Sequence, residues 1–168
     1  YHAFSDFKKH YALTVEQAQQ FVLYTQLLLT ARQQFNLTAL DTPKKIFEDH
    51  FKDSLALADC YDLSQTSMIA DVGSGGGFPG IPLKIAFPHL HIILIEVATK
   101  KVDFLNTVMG QLRLENSCVS SLDWRTFLRK THYPIDLFVS RASLHTDELI
   151  RMFQSSSPYN TATLVYWA

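Results

Sequence analysis

The residues most able to do chemistry lie in the stretch Ile69–Phe87, "IADVGSGGGFPGIPLKIAF", which permits two frames. Gly75, Gly77 and Gly80 spell G-x-G-x-x-G, the dinucleotide fingerprint, while Asp71, Gly73, Gly75 and Gly77 spell D-x-G-x-G-x-G. In the first frame, backbone N–H groups and a helix N-terminus hold a pyrophosphate. A carboxylate at Asp71 repels that charge. A ligand with an ammonium group beside the loop welcomes it, and S-adenosylmethionine is such a ligand: an amino acid, a sulfonium and an adenosine, without phosphate. In this second frame Asp71 is expected near the methionine end, while Gly73, Gly75 and Gly77 let the backbone turn and approach the ligand. Glu96 follows about 20 residues beyond the loop, where an acid grips ribose hydroxyls. Both cofactors need that acid, so only Asp71 discriminates. The plainer reading of Asp71 is a turn cap above tightly packed glycines.

Arg141 ends another apolar run and is a candidate for holding RNA phosphate, a cofactor carboxylate or a target base; the alternative is a salt-bridged surface arginine. His50 stands among Glu48, Asp49 and Asp53, but no metal-ligand spacing supports a metal there, and a capping or packing histidine is expected. The cysteines, Cys60 and Cys118, fit no metal or redox spacing and read as buried, reduced thiols. No metal is expected.

These residues need elements to position them. "TVEQAQQFVLYTQLLLTARQQF" places Val15, Ala18, Phe21, Val22, Leu28 and Leu29 at helical spacing, with Thr14 and Gln17 as a capping box. "NLTALDTPKK" breaks that helix, and Thr42 with Pro43 restarts one. Beyond residue 67 the texture changes to strands alternating with helices. "SMIADV", "HLHIILIEV", "NSCVSS", "YPIDLFVSRA" and "ATLVYW" read as strands. A helix around 80–86, "TKKVDFLNTVMGQLRL", "DWRTFLRK" opened by Asp123, and "HTDELIRMFQ" separate them. This order predicts right-handed βαβ units and an α/β, mostly parallel, doubly wound sheet. Ligands then sit beyond the strands' carboxyl ends, which directs attention to Asp71–Gly77, Glu96, Ser121–Trp124 and Ser140–Arg141. The division is a helical extension over residues 1–66, packed on a Rossmann-like core over 67–168, as one globular unit.

Bulk numbers set the outer limits. The 168 residues are 47% hydrophobic, which suits one domain with a sizeable core. The net charge of −1 gives no global nucleic-acid signature, so RNA contact would fall to a local patch. Lys8, Lys9, Lys44, Lys45, Lys100, Lys101, Arg125, Arg129 and Lys130 are its candidates. The chain begins with Tyr1 and stops inside an apolar run, so both ends are expected to be incomplete. No apolar segment of transmembrane length is present, and a soluble cytoplasmic protein without membrane contact, working as a monomer, is expected.

"NLTAL", "HFKDSL", "DVGSGGGFPGIPLKIAFP", "KKVDFL" and "SRA" resemble, in order, signature segments of the bacterial small-subunit ribosomal RNA guanine-N7 methyltransferases, also called glucose-inhibited division protein B (RsmG). The resemblance implies a class I S-adenosylmethionine-dependent methyltransferase fold, S-adenosylmethionine as methyl donor, and N7 of a guanine in 16S rRNA, free or within the 30S ribosomal subunit, as acceptor. It carries Gly73 and Phe78 onto the cofactor loop, Glu96 onto the ribose acid and Arg141 onto the post-strand arginine. Where the family shows an arginine-alanine-glutamate segment beside the adenine, this chain has Leu122, Asp123 and Trp124. Asp123 is then expected to accept from the adenine amine and Trp124 to flank the ring. Asn36 and Thr38 of "NLTAL" either close over the cofactor or cap helices.

Guanine N7 carries a lone pair and needs no deprotonation, so no general base is expected. "SRAS" lacks the N/D-P-P-Y/F pattern of amine methylation, "SSPY" at 156–159 reads as a loop, and neither cysteine is placed as a nucleophile. Two other readings stay open: an NAD(P)-dependent oxidoreductase using the G-x-G-x-x-G frame, and a non-catalytic RNA- or cofactor-binding module.

Overall fold

The computed structural model describes residues 2–34, 42–141 and 143–167. Two helices lead, α1 (His2–His10) and α2 (Val15–Gln34). Thr14 and Gln17 cap α2 reciprocally: Gln17 N–H donates to Thr14 Oγ1 at 3.1 Å, and Thr14 N–H to Gln17 Oε1 at 2.8 Å. The buried face of α2 is Phe21, Tyr24, Leu28 and Ala31. Val15 and Val22, expected on that face, are exposed instead, because the stripe runs through Tyr24.

Thr42 caps the next helical run, with Pro43 opening it. The run is broken: α3 (Pro43–Lys45), a π-helical segment (Ile46–Lys52), α4 (Asp53–Leu55) and α5 (Leu57–Cys60). Among the described residues, no strand precedes β1 (Met68–Val72). Then come α6 (Gly80–Ala86), β2 (His91–Ile95), α7 (Thr99–Gln111), β3 (Ser117–Ser120), α8 (Trp124–Lys130), β4 (Leu137–Arg141), α9 (Thr146–Leu149) running into a 3₁₀ turn (Ile150–Phe153), and β5 (Thr163–Trp167).

All five strands are parallel, in the order β3-β2-β1-β4-β5. The chain winds outward from β1 to β3, then returns to the other side of β1 for β4. That reversal opens a crevice at the carboxyl ends of β1 and β4. Alternation along the strands divides the core. Ile69, Ile92, Leu94, Leu137 and Val139 face a layer that holds α1, α2, α6 and α7, whereas Ala70, Val72, Ile93, Ile95 and Phe138 face α8 and α9.

Both cysteines are exposed, against the expectation of burial: Cys60 ends α5, and Cys118 lies on β3 at the sheet edge. "SSPY" forms turns, as expected, and anchors Tyr159 in the core through a 2.6 Å hydrogen bond with Thr131. Among the described residues, no helix is long and apolar enough to cross a membrane.

Candidate functional site: a crevice at the carboxyl ends of β1 and β4

The crevice is a cavity of about 480 Å³, within the ordinary range for small-molecule sites. Gly73 and Gly75 floor it, Glu96 and Val97 stand at the end of β2, Leu122 to Trp124 form the wall beyond β3, and Arg141 and Ser143 close the β4 side.

The glycine loop is tied to its neighbours before any ligand is considered. Gly73 and Ser74 both donate backbone N–H to Ile95 O, at 2.9 and 3.1 Å. At Gly73 φ is +73°, and an added Cβ would fall 2.2 Å from Ser143 Cβ, so no other residue fits. Gly77, at φ +102°, leaves room for Ile81 and for the Tyr24 hydroxyl, which donates to Gly76 O at 2.6 Å. A residue of α2 therefore braces the loop from behind.

Glu96 is the stitch between loop and sheet. It is 8% exposed and accepts from Gly75 N–H at 3.0 Å, Val97 N–H at 3.0 Å and Ala98 N–H at 2.9 Å. A carboxylate has about four acceptor sites. Three are used by backbone, and no donor among the described residues takes the fourth, on a side chain that lines the cavity.

Asp71 is placed differently from the expectation. It is fully buried and absent from the cavity wall; one oxygen accepts from Gly80 N–H at 2.9 Å. It shares the sheet face of Ile69, beneath α6, so alternation along β1 turns it inward. Burial pushes its carboxyl up to about 7, against the lowering effects of the Gly80 N–H, Arg141 and Ser74, while Glu96 pushes it further up. The other oxygen has no hydrogen-bond partner among the described residues. Gly80 has to be glycine, since a Cβ there would meet Leu94 at 2.5 Å and the Asp71 carboxylate at 2.9 Å.

On the far wall, Asp123 caps α8: its oxygens accept from Thr126 N–H at 3.0 Å and Thr126 Oγ1 at 2.7 Å, which holds its carboxyl below the usual range. Trp124 lines the cavity but is only 6% exposed, with Nε1–H donated to Glu148 O at 2.7 Å. Its ring is packed against Phe127 and Phe138, so it offers the cavity an edge.

Arg141 ends β4 with its side chain largely buried. Nη1 donates to Asp53 Oδ2 at 2.9 Å and to Asp49 O at 3.4 Å, and Nη2 lies 2.7 Å from His50 Nδ1. Trp167 Nε1 donates to the same Asp53 oxygen at 3.1 Å. The guanidinium carbon sits 5.3 Å from the centroid of the Phe78 ring, and His50 stacks on that ring at 4.2 Å. Phe78 is itself buried, so it contributes as the base of this stack rather than as cavity wall.

The structure thus brings Gly73, Gly75, Glu96, Leu122, Asp123, Trp124 and Arg141 to one cavity, and places Asp71, Gly77 and Phe78 behind it. Asn36 and Thr38 lie outside the described residues. Of the basic candidates, Lys101 reaches the cavity wall, whereas Arg125 is held by both oxygens of Glu148, at 2.9 and 2.6 Å. Sequence reasoning named neither Tyr24 nor Ser143; His50, expected to cap or pack beside Asp53, does pack on Phe78 and also meets Arg141.

Among solved structures, coclaurine N-methyltransferase bound to N-methylheliamine and SAH superposes with a TM-score of 0.56 at 14% identity, covering 77% of this chain and 36% of that one. Mitomycin 7-O-methyltransferase MmcR gives 0.54 at 19%, covering 69% and 35%. Such likenesses establish the class I methyltransferase fold. Sequence relatives are nearer. The ribosomal RNA small subunit methyltransferase G of Aster yellows witches'-broom phytoplasma is 41% identical over 115 residues, 68% of this chain and 54% of that protein. Its counterpart in Lachnoclostridium phytofermentans is 37% identical over 144 residues, 83% and 59%, and that of Bacillus subtilis 38% over 110 residues, 66% and 46%. The chain spans about half the length of these curated relatives. A family model described as rRNA small subunit methyltransferase G matches residues 17–167, a span that takes in most of α2, the glycine loop, Glu96 and the Arg141 cluster, and the chain belongs to that family.

Proposed function

We propose that the chain is the cofactor-binding and acceptor-positioning body of an S-adenosylmethionine-dependent methyltransferase acting on N7 of a guanine in 16S rRNA. One observation carries the cofactor choice. In the G-x-G-x-x-G frame, the N–H at the start of α6 would serve a diphosphate, but here Gly80 N–H is taken by the buried carboxylate of Asp71. An oxidoreductase reading therefore loses its phosphate site. The cavity also fits a nucleoside with an amino-acid tail: a glycine floor without side chains, a remaining acceptor site on Glu96, and apolar edges at Val97, Leu122 and Trp124.

When bound, the cofactor supplies an electrophilic methyl group on a sulfonium. The protein's share is placement. Gly73 and Gly75 admit close backbone approach, Glu96 accepts from a ribose hydroxyl, and Asp123 borders the adenine end. Arg141, with Nε–H and one Nη2–H not used within the described cluster, is aimed at the acceptor or the cofactor carboxylate. The guanine N7 lone pair points at the methyl without prior proton loss, so the absence of a general base among these residues costs nothing. Orientation alone can supply ~7–11 kcal/mol of barrier lowering. RNA would reach the cavity past Lys101. This reading places the protein in the cytoplasm as a monomer, with residues 1–66 as an extension on a methyltransferase core.

The test is calorimetric titration with S-adenosylmethionine and with NAD, then labelled methyl transfer onto 30S subunits and naked 16S rRNA, with nucleoside digestion to locate the methyl group. N7-methylguanosine is expected. Binding of NAD alone, or label on another atom, overturns the proposal; cofactor binding without transfer favours a non-catalytic module.

A further inference from the structure

The cluster around Arg141 contains more than a salt bridge. A guanidinium only donates, so His50 Nδ1, 2.7 Å from Arg141 Nη2, has to carry a lone pair. The imidazole is then neutral with its proton on Nε2. An Nδ1–H would set two donors against each other, and an imidazolium would add like charges at contact distance. Burial, then the charge of Arg141, hold the His50 ring down to about 4, outweighing Asp49 and Asp53, which act in the opposite direction. The same geometry puts a cation where a metal at Nδ1 would have to sit.

Three groups from one helical stretch converge on the guanidinium: Asp49 O, His50 Nδ1 and Asp53 Oδ2. That stretch is the π-helical segment Ile46–Lys52 and its exit into α4. A π-turn widens the helix and re-aims side chains, and such turns recur at functional sites. Phe78, from the cofactor loop, lies beneath both His50 and Arg141. Three of the five guanidinium N–H groups are thus assigned, leaving Nε–H and one Nη2–H without a partner among the described residues, on a side chain that lines the cavity.

We infer that His50 is a positioning residue of the methyl-transfer site, which acts through Arg141 by accepting from Nη2 and thereby fixing the direction of the guanidinium's remaining donors. The inference rests on the methyltransferase reading above for its kinetic consequences, but not for the state of the ring. His50→Asn keeps an oxygen acceptor near the Nδ1 position; His50→Phe keeps the stack on Phe78 and removes the acceptor.

The experiment is a double-mutant cycle on methyl transfer to 30S subunits, with thermal melts to confirm folding and ¹⁵N NMR of the imidazole in the wild-type chain. His50→Phe is expected to worsen the same parameter that Arg141→Ala worsens, kcat or KM, by about 10- to 100-fold, the usual worth of a hydrogen bond to a charged group. His50→Asn is expected to recover most of that loss. In the Arg141→Ala background, His50→Phe should change nothing further. NMR should show an unprotonated Nδ1 and a protonated Nε2 at pH 7. Additive losses in folded variants, no recovery by asparagine, or an Nδ1–H tautomer each overturn the inference. If the wild-type chain transfers no methyl group, the proposed activity fails and the positioning role fails with it, while the NMR result still decides whether His50 Nδ1 accepts from Arg141.

Discussion

Replacing Asp71 by asparagine should remove a pH dependence of stability that a motif acid in this position is not usually asked to carry. The carboxyl is fully buried and titrates near 7 in the folded chain, against about 3.9 when unfolded. Between those values the native state holds a proton that the unfolded state has lost. Stability contributed by Asp71 is therefore fully present below about pH 4 and is lost as pH rises through 7. At pH 5 the folded carboxyl is two units below its midpoint, and each unit is worth about 1.36 kcal/mol, so raising the pH from 5 to 8 costs the wild-type chain about 3 kcal/mol through this residue.

Asparagine is isosteric, does not titrate, and keeps an oxygen for Gly80 N–H. Its amide nitrogen replaces the oxygen that has no partner among the described residues, a cost of about 1–3 kcal/mol that does not depend on pH. Every other titrating group is common to both chains and cancels. The difference in unfolding free energy between Asp71→Asn and wild type should move in favour of the variant by about 3 kcal/mol from pH 5 to pH 8. Urea melts at several pH values, followed by the fluorescence of Trp124 and Trp167, measure it. Parallel stability curves for the two chains would show that the carboxyl is not held neutral and would refute the argument.

Other consequences are local. Glu96→Gln should weaken cofactor binding by about 10- to 100-fold in calorimetry, because its amide group sets N–H against the N–H of Gly75 or Val97; unchanged affinity would remove the ribose assignment. Gly73→Ala should abolish cofactor binding and destabilise the chain, since its Cβ overlaps Ser143 and its φ costs a further ~1–2 kcal/mol. Adding Ser143→Gly should recover only the overlap, and full recovery in a melt would contradict the backbone term. Tyr24→Phe should cost about 1–3 kcal/mol by leaving the buried Gly76 carbonyl unpaired, and an unchanged melting temperature would remove the brace.

What the sequence made legible was local. Caps at Thr14, Thr42 and Asp123 depend on neighbours three residues away, and all three form as spacing suggests. The parallel sheet and a crevice at its carboxyl ends followed from alternation of elements, and Glu96 and Arg141 line the same cavity as the glycine loop. Hidden were the contacts between distant segments. Nothing in "EDHFKDSL" announces a guanidinium 91 residues away from His50. The inward turn of Asp71 was available in principle, because Ile69 and Asp71 share a face of β1. The assumption that a motif acid faces the ligand overrode that alternation.

These long-range contacts decide what the helical extension does. Had residues before β1 only covered a sheet face, they would meet the core through apolar side chains alone. Instead, Tyr24 of α2 donates to the carbonyl of Gly76, within the glycine loop, and Asp49, His50 and Asp53 hold Arg141 at the end of β4. Phe78 links the two, touching Tyr24, Phe51 and His50 through ring contacts. A displacement of the extension would move the loop and the arginine together. If the proposed methyl transfer holds, the extension helps to set the distance between methyl donor and acceptor, and its removal should cost turnover before it costs the parallel sheet.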